Sequence, residues 1–288
     1  MKDQAEDLRI KLKRLANKKH PKTLAVVSGK GGVGKSNISL NFSISLSQKG
    51  FSVLLFDMDV GMGNLDILMG KTSVYSIVDF FKGTVTLKDT IMNGPEGIKY
   101  IAGGSGLSQL VKLEEEMIDK FTIELSQLIQ DYDYVIFDMG AGVTNESIKF
   151  ILSVHEIIAI TTPEPTAITD AYSILKHIHL MDSTIPFYVV INRVQSEKEG
   201  IQTFSRISKV LNSFLGRDSY FLGVVPDDRS IQQAVRRQIP FILNNNKSPA
   251  SKSLSEMTER YMKKHFSGTT ESNAFPFISK LKKLLFER

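Results

Sequence analysis

Cysteine is absent from the 288-residue sequence, which removes disulfides, thiol nucleophiles, cysteine-ligated zinc and iron–sulfur clusters from consideration. Long apolar runs are absent too: the longest, such as Val53 to Phe56, fall far short of the ~20 residues of a membrane span. The N-terminus, MKDQAEDLRIKLKRL, has no apolar core of the kind a secretory signal needs, so the expected location is cytoplasmic. Histidines number only five; His177 and His179 stand two apart on an expected helix, face different ways and do not form a site. What remains is globular: 42% hydrophobic and 23% charged residues can bury the core of one large α/β domain or two smaller ones.

The net charge of +5 is unevenly spread. Residues 1–22 carry +5 and residues 275–288 carry +3, which leaves the body between them at −3. An acidic body with basic ends suits contacts made through the ends and argues against broad nucleic-acid binding.

Between the ends, short β-branched apolar runs alternate with helical stretches, the pattern of a parallel sheet covered by helices. The runs predict strands at Thr23–Ser28, Ser52–Asp57, Ile98–Ala102, Tyr134–Asp138, Ile157–Thr161, Pro186–Ile191 and Tyr220–Val224. Helical periodicity covers Ser36–Gln48, Lys112–Gln130, Thr166–Met181, Gly200–Leu215 and roughly Ala250–His265. The expected fold is a doubly wound, mainly parallel α/β sheet. Its parts are a basic helix in 1–22, a nucleotide-binding domain in 23–266, a polar tether in 267–274 and an amphipathic helix in 275–288.

After the first strand comes Gly29-Lys30-Gly31-Gly32-Val33-Gly34-Lys35-Ser36, a G-x-x-x-x-G-K-[ST] loop in its strand–loop–helix setting. In such a loop the backbone of Gly31, Gly32, Val33 and Gly34 wraps a phosphate, Lys35 neutralises the β- and γ-phosphates of ATP, and Ser36 ligates Mg²⁺, with Asn37 in the same helical turn. Lys30 stands where an ordinary phosphate loop needs no cation. With it, KGGVGKS resembles the deviant Walker A motif of the MinD/ParA family of dimerising P-loop ATPases.

That resemblance implies further roles. Lys30 would reach across an ATP-dependent homodimer to the partner's phosphates. In LLFDMDVGMGNLD, which is similar to the family's switch I through Asn64, Leu65 and Asp66, Asp57 would orient the magnesium shell and Asp59 the attacking water. Asp138, closing the run Tyr134–Asp138, takes the Walker B position and would hold Mg²⁺ through water. The family's adenine contacts correspond to Asn192 in VVINRV and to Pro226 and Asp227 in GVVPDD.

On a helical wheel, Phe277, Ile278, Leu281, Leu284 and Leu285 fall within an arc of about 120°, with Lys280, Lys282 and Lys283 outside it. Such a helix binds an anionic membrane surface or docks on the protein's own body; the polar tether before it favours the membrane. At the other end Asp3 can cap a helix whose stripe is Ala5, Leu8, Leu12 and Leu15. Asp3-Gln4-Ala5-x-x-Leu8-Arg9 resembles the DQAxxLR element of the flagellar-placement branch, the FlhG-type (YlxH/FleN) ATPases. This implies an FlhF-type GTPase as the partner of the N-terminal helix, with flagellar switch-complex proteins as a further partner class. The expectation is thus a membrane-cycling ATPase that sets flagellar number or placement and cycles with nucleotide between cytoplasm and inner membrane face. Its rivals are a MinD-type division-site ATPase, a ParA-type DNA-partition ATPase, and a scaffold that binds nucleotide without turnover.

Overall fold

The computed structural model of the protein describes residues 21–59, 65–104, 115–267 and 277–286. The strands are β1 (Lys22–Val27), β2 (Val53–Met58), β3 (Ile91–Asn93), β4 (Lys99–Ile101), β5 (Tyr134–Met139), β6 (Glu156–Thr161), β7 (Phe187–Val194) and β8 (Tyr220–Pro226). The helices are α1 (Lys35–Gln48), α2 (Leu65–Met69), α3 (Ile77–Phe81), α4 (Glu115–Leu128), α5 (Asn145–Ser153), α6 (Pro165–Met181), α7 (Glu197–Leu215), α8 (Arg229–Arg237), α9 (Phe241–Asn244), α10 (Pro249–Ser267) and α11 (Phe277–Phe286). All seven expected strands are present with shifted ends, and the doubly wound α/β fold is as expected. β3 is an addition that no periodicity announces.

The eight strands form one sheet in the order β3-β4-β2-β5-β1-β6-β7-β8, parallel except for β3 against β4. Strand side chains alternate between two cores. Ala25, Val27, Leu54 and Phe56 join α4, α5, α6, α7 and α11 on one face. Leu24, Val26, Val53 and Leu55 join α1, α8, α9 and α10 on the other. Two-sided burial is the reason the strands read as continuous apolar runs. After β1 the chain winds outward on one side to β2 and later on the other side from β6 to β8, so β1 marks the switch point where ligands bind at strand C-termini.

The expected segment bounds need two adjustments. β1 begins at Lys22, and α10 runs through Ser267, so the first residue assigned to the tether is helical. The N-terminal element, with Asp3, Gln4, Ala5, Leu8 and Arg9, and residues 268–274 of the tether lie outside the described residues.

Of the two surfaces open to the last helix, the structure has it on the protein's own body. The apolar arc of α11 lies against the protein itself, packed on α4 and α5. Phe277 and Leu281 are buried, Ile278, Leu284 and Leu285 are partly covered, and the Phe277 ring sits 5.3 Å from that of Phe137. Two of the lysines outside that arc make ion pairs, Lys280 with Asp182 at 2.5 Å and Lys282 with Asp119 at 2.7 Å. An apolar stripe specifies that a face will be buried and leaves open what buries it.

Candidate functional site

Residues 29–34 run from the end of β1 to the start of α1, and the loop admits few side chains. A Cβ on Gly29 would fall 2.2 Å from the backbone of Asp170 in α6. One on Gly34 would fall 2.3 Å from Asn192 Nδ2, and Gly34 holds φ at 93° as the residue that opens α1. No side chain caps α1 and its first turn holds no acid, so its first N–H groups face the loop as donors for an anion.

Under this helix end two strands on one side of β1 deliver charge. Val26 of β1 lies level with Asp138 of β5, and Asp138 level with Asp57 of β2, so parallel register alone sets the two carboxylates side by side. Lys35 Nζ lies 2.8 Å from Asp138 Oδ1, with both side chains buried, and 3.4 Å from Ser36 Oγ. Ser39, one turn along α1, donates to the same Oδ1 at 2.8 Å. Asp138 Oδ2 is buried with no hydrogen-bond partner among the described residues. A buried acceptor left open next to a second carboxylate and a serine hydroxyl fits a hydrated Mg²⁺, an ion bound through one or two carboxylates, waters and substrate phosphates.

Asp57 accepts from the N–H groups of Asp59 (3.0 Å) and Leu65 (3.4 Å), which ties β2 to the start of α2 across switch I. Burial, reinforced by the neighbouring Asp138 charge, pushes the Asp57 carboxyl up to about 7. Burial also raises Asp59, which is half-buried and faces Gly140 of the segment after β5. A carboxyl whose pKa is raised by folding contributes stability that is full below its unfolded value and is lost as pH rises through about 7. Asp57→Asn should therefore raise the Tm of the nucleotide-free protein at pH 8, by up to about 4 kcal/mol of stability for a shift of roughly three units. The gain should vanish at pH 4, and Mg²⁺ with ATP should no longer stabilise the variant as it does the parent. Calorimetry across that pH range checks both.

The remaining predicted residues take distinct places. Asn192, at the end of β7, donates from Nδ2 to the Val33 carbonyl at 2.7 Å and so clamps the phosphate loop. Its Oδ1 is buried with no partner among the described residues, an acceptor that fits the exocyclic amine of adenine. Pro226 ends β8 opposite Val194, and Asp227 N–H donates to the Val194 carbonyl, so both stand beside Asn192. Arg193 between them has φ of 58°, where the β7–β8 register slips. Asn37 lies in the first turn of α1, its carbonyl accepting from Asn41 Nδ2. Lys30 stands apart from this cluster and is exposed, its Nζ 3.2 Å from Glu164 and 3.3 Å from Thr166 Oγ1 at the start of α6.

Glu164, Thr166 and Ser39 are functional neighbours that the motifs miss. Ser39 had a signal, since it follows Lys35 by four residues and shares its helix face. Glu164 and Thr166 had only the proline-started helix in PEPTAITD, which says nothing about which loop it meets.

Residues 24–241 match the CobQ/CobB/MinD/ParA nucleotide binding domain. The chain is 33% identical to the antiactivator FleN of Pseudomonas aeruginosa over 220 residues, 76% of this chain and 79% of that protein. It is 35% identical to the flagellum site-determining protein YlxH of Helicobacter pylori over 224 residues, 77% and 75% of the two chains. In fold it resembles the septum site-determining protein MinD of Pyrococcus horikoshii, solved as a complex with Mg-ADP, at a TM-score of 0.70 and 24% identity over 86% of this chain and 99% of that one.

Proposed function

The chain belongs to the CobQ/CobB/MinD/ParA nucleotide-binding family, and from that premise we propose that it is a Mg²⁺-dependent ATPase, dimeric when bound to ATP, that sets flagellar number or placement at the inner face of the cell membrane. The observation that carries the ATPase reading is the buried Lys35–Asp138 pair with Asp138 Oδ2 left open beneath an uncapped helix. The flagellar reading is supported by the likeness to FleN and YlxH.

In this reading Lys35 turns from Asp138 to the β- and γ-phosphates, and the N–H groups at the start of α1 hold the β-phosphate. Ser36, Asp57 and Asp138 would hold Mg²⁺, which would supply charge neutralisation for the phosphates. Asp59 orients the water that attacks the γ-phosphorus in line, with ADP as the leaving group. The amide of Asn192, with Pro226 and Asp227, holds the base. Lys30 leaves Glu164 and Thr166 for the partner's phosphates, a move that costs little because the contact is exposed. The N-terminal helix is the docking element for an FlhF-type GTPase, and flagellar switch-complex proteins are the further partners.

No helix among the described residues is long and apolar enough to cross a membrane, so attachment would be peripheral. The face of α11 that would enter a bilayer is the face that holds it to α4 and α5. Burying Phe277 and Leu281 is worth about 1.5–3 kcal/mol each, which competes with one short interfacial helix. Attachment therefore requires release of α11, and two released helices on one dimer gain roughly 10²- to 10⁴-fold in avidity. Co-sedimentation with anionic vesicles should require ATP, weaken with salt and disappear in Leu281→Glu. Lys280→Ala, which removes the pair with Asp182, should raise the fraction bound with ADP. Equal pelleting of the parent protein with ADP and ATP would sink the release step.

A further inference from the structure

The two carboxylates assigned to the metal are held in different ways. Asp57 accepts from two backbone N–H groups, those of Asp59 and Leu65, a hold that no side chain has to supply. Asp138 has no backbone donor among the described residues; its Oδ1 accepts from two side chains, Lys35 Nζ and Ser39 Oγ, each at 2.8 Å. One of these two leaves when nucleotide binds, because Lys35 is the cation that meets the phosphates. Asp138 is then a fully buried carboxylate level with a second one, on a side chain whose terminal torsion is soft.

We propose that Ser39 is a positioning residue of this site: it holds Asp138 in place once Lys35 has turned away, so that Oδ2 stays open toward the metal. The proposal rests on the ATPase reading above. Ser39 stands one turn after Lys35 on the same face of α1 and is itself fully buried. Its hydroxyl has one proton and two acceptors in reach, Asp138 Oδ1 at 2.8 Å and the Lys35 carbonyl at 3.1 Å. An ionised carboxylate is the stronger acceptor, so the proton goes to Asp138. That bond involves neither the phosphates nor Mg²⁺, and their arrival gives it no reason to break. With Oδ1 tied, the plane of the carboxylate is set, and Oδ2, buried with no hydrogen-bond partner among the described residues, keeps its direction.

Ser43 supplies the contrast. It is equally buried, lies one turn further along α1, and donates to the Ser39 carbonyl at 2.7 Å, a bond inside the helix that reaches no carboxylate. A serine that only satisfies a buried helix behaves as Ser43 does. Ser39 differs in its bond to Asp138, so a loss confined to metal binding separates the two roles.

The probe is Mn²⁺, which shares magnesium's preference for octahedral oxygen ligands and is counted by electron paramagnetic resonance as it is titrated into the ADP-loaded, full-length protein. Ser39→Ala should weaken Mn²⁺ binding at least tenfold, the scale of losing a hydrogen bond to an ionised group, while ADP affinity measured in EDTA stays within about twofold of the parent. Ser43→Ala should leave both unchanged. Ser39→Thr and Ser39→Val have the same shape and differ in the hydroxyl, so the Thr variant should hold the ion at least fivefold more tightly than the Val variant, whatever the added methyl group costs. Parental Mn²⁺ affinity in Ser39→Ala, equal losses in the two alanine variants, or Thr and Val variants that bind alike would overturn the proposal while leaving the ATPase reading in place. A parent protein whose ADP complex holds Mn²⁺ no more tightly than ADP alone in solution overturns the metal assignment of that reading, and this proposal with it.

Discussion

Lys35→Ala is expected to abolish nucleotide binding, with affinity for Mg²⁺ and ATP falling at least 100-fold by calorimetric titration. Two effects act together. The variant loses a buried cation placed to meet the phosphates, and it loses the partner of Asp138 in a pair whose side chains are both buried. Breaking a buried ion pair from one side costs about 3–5 kcal/mol, because the remaining charge has no compensation. The folded protein relieves that cost by protonating a carboxylate, and Asp57, already at about 7, has its lysine attraction removed as well. Lys35→Ala should therefore lose more stability at pH 8 than at pH 6. An unchanged affinity in the variant would take the phosphates away from this loop.

Asp59→Ala is expected to separate binding from turnover. Asp59 follows Asp57, to which its N–H donates, and its carboxylate faces Gly140 in the segment after β5. Removing it leaves the Lys35, Asp138 and Asn192 contacts intact, so ATP affinity should stay within a few-fold of the parent. Phosphate release should fall more than 100-fold, the scale on which positioning of an attacking water acts. In the proposed dimer-coupled cycle, the variant should accumulate as an ATP-bound dimer. A variant with turnover near that of the parent would show that another group positions the water.

The parts of this molecule legible in its sequence are those whose physics is local. Tyr134–Met139 and Val53–Met58 are buried on both faces, which forces continuous apolar runs, and the phosphate loop is a contiguous motif whose glycines answer to steric contact. What was not legible depends on distant partners or on very short elements. β3 has three residues and exists only against β4. α3 and α5 are held by short caps, Ser76 with Asp79 and Thr144 with Ser147, too brief for periodicity to register. α7 begins at Glu197, ahead of the expected Gly200, because Ser196 accepts from Glu199 N–H. α11 is the largest difference. Its amphipathic arc is plain, yet Phe137, which receives Phe277, lies far away in sequence on β5, and no wheel distinguishes that surface from a lipid one. The same holds for Lys30, whose contacts with Glu164 and Thr166 join two loops unrelated in sequence.

In the proposed cycle ATP, through Lys30 and the phosphate loop, assembles two copies of this chain. Sedimentation velocity of the parent protein and of Lys30→Ala, each with Mg²⁺ and either ATP or ADP, tests it most directly. A dimer is expected only for the parent with ATP, and a monomer for Lys30→Ala in every condition despite ATP affinity within a few-fold of the parent. A parent protein that stays monomeric with saturating ATP, or a Lys30→Ala variant that dimerises like the parent, would contradict it.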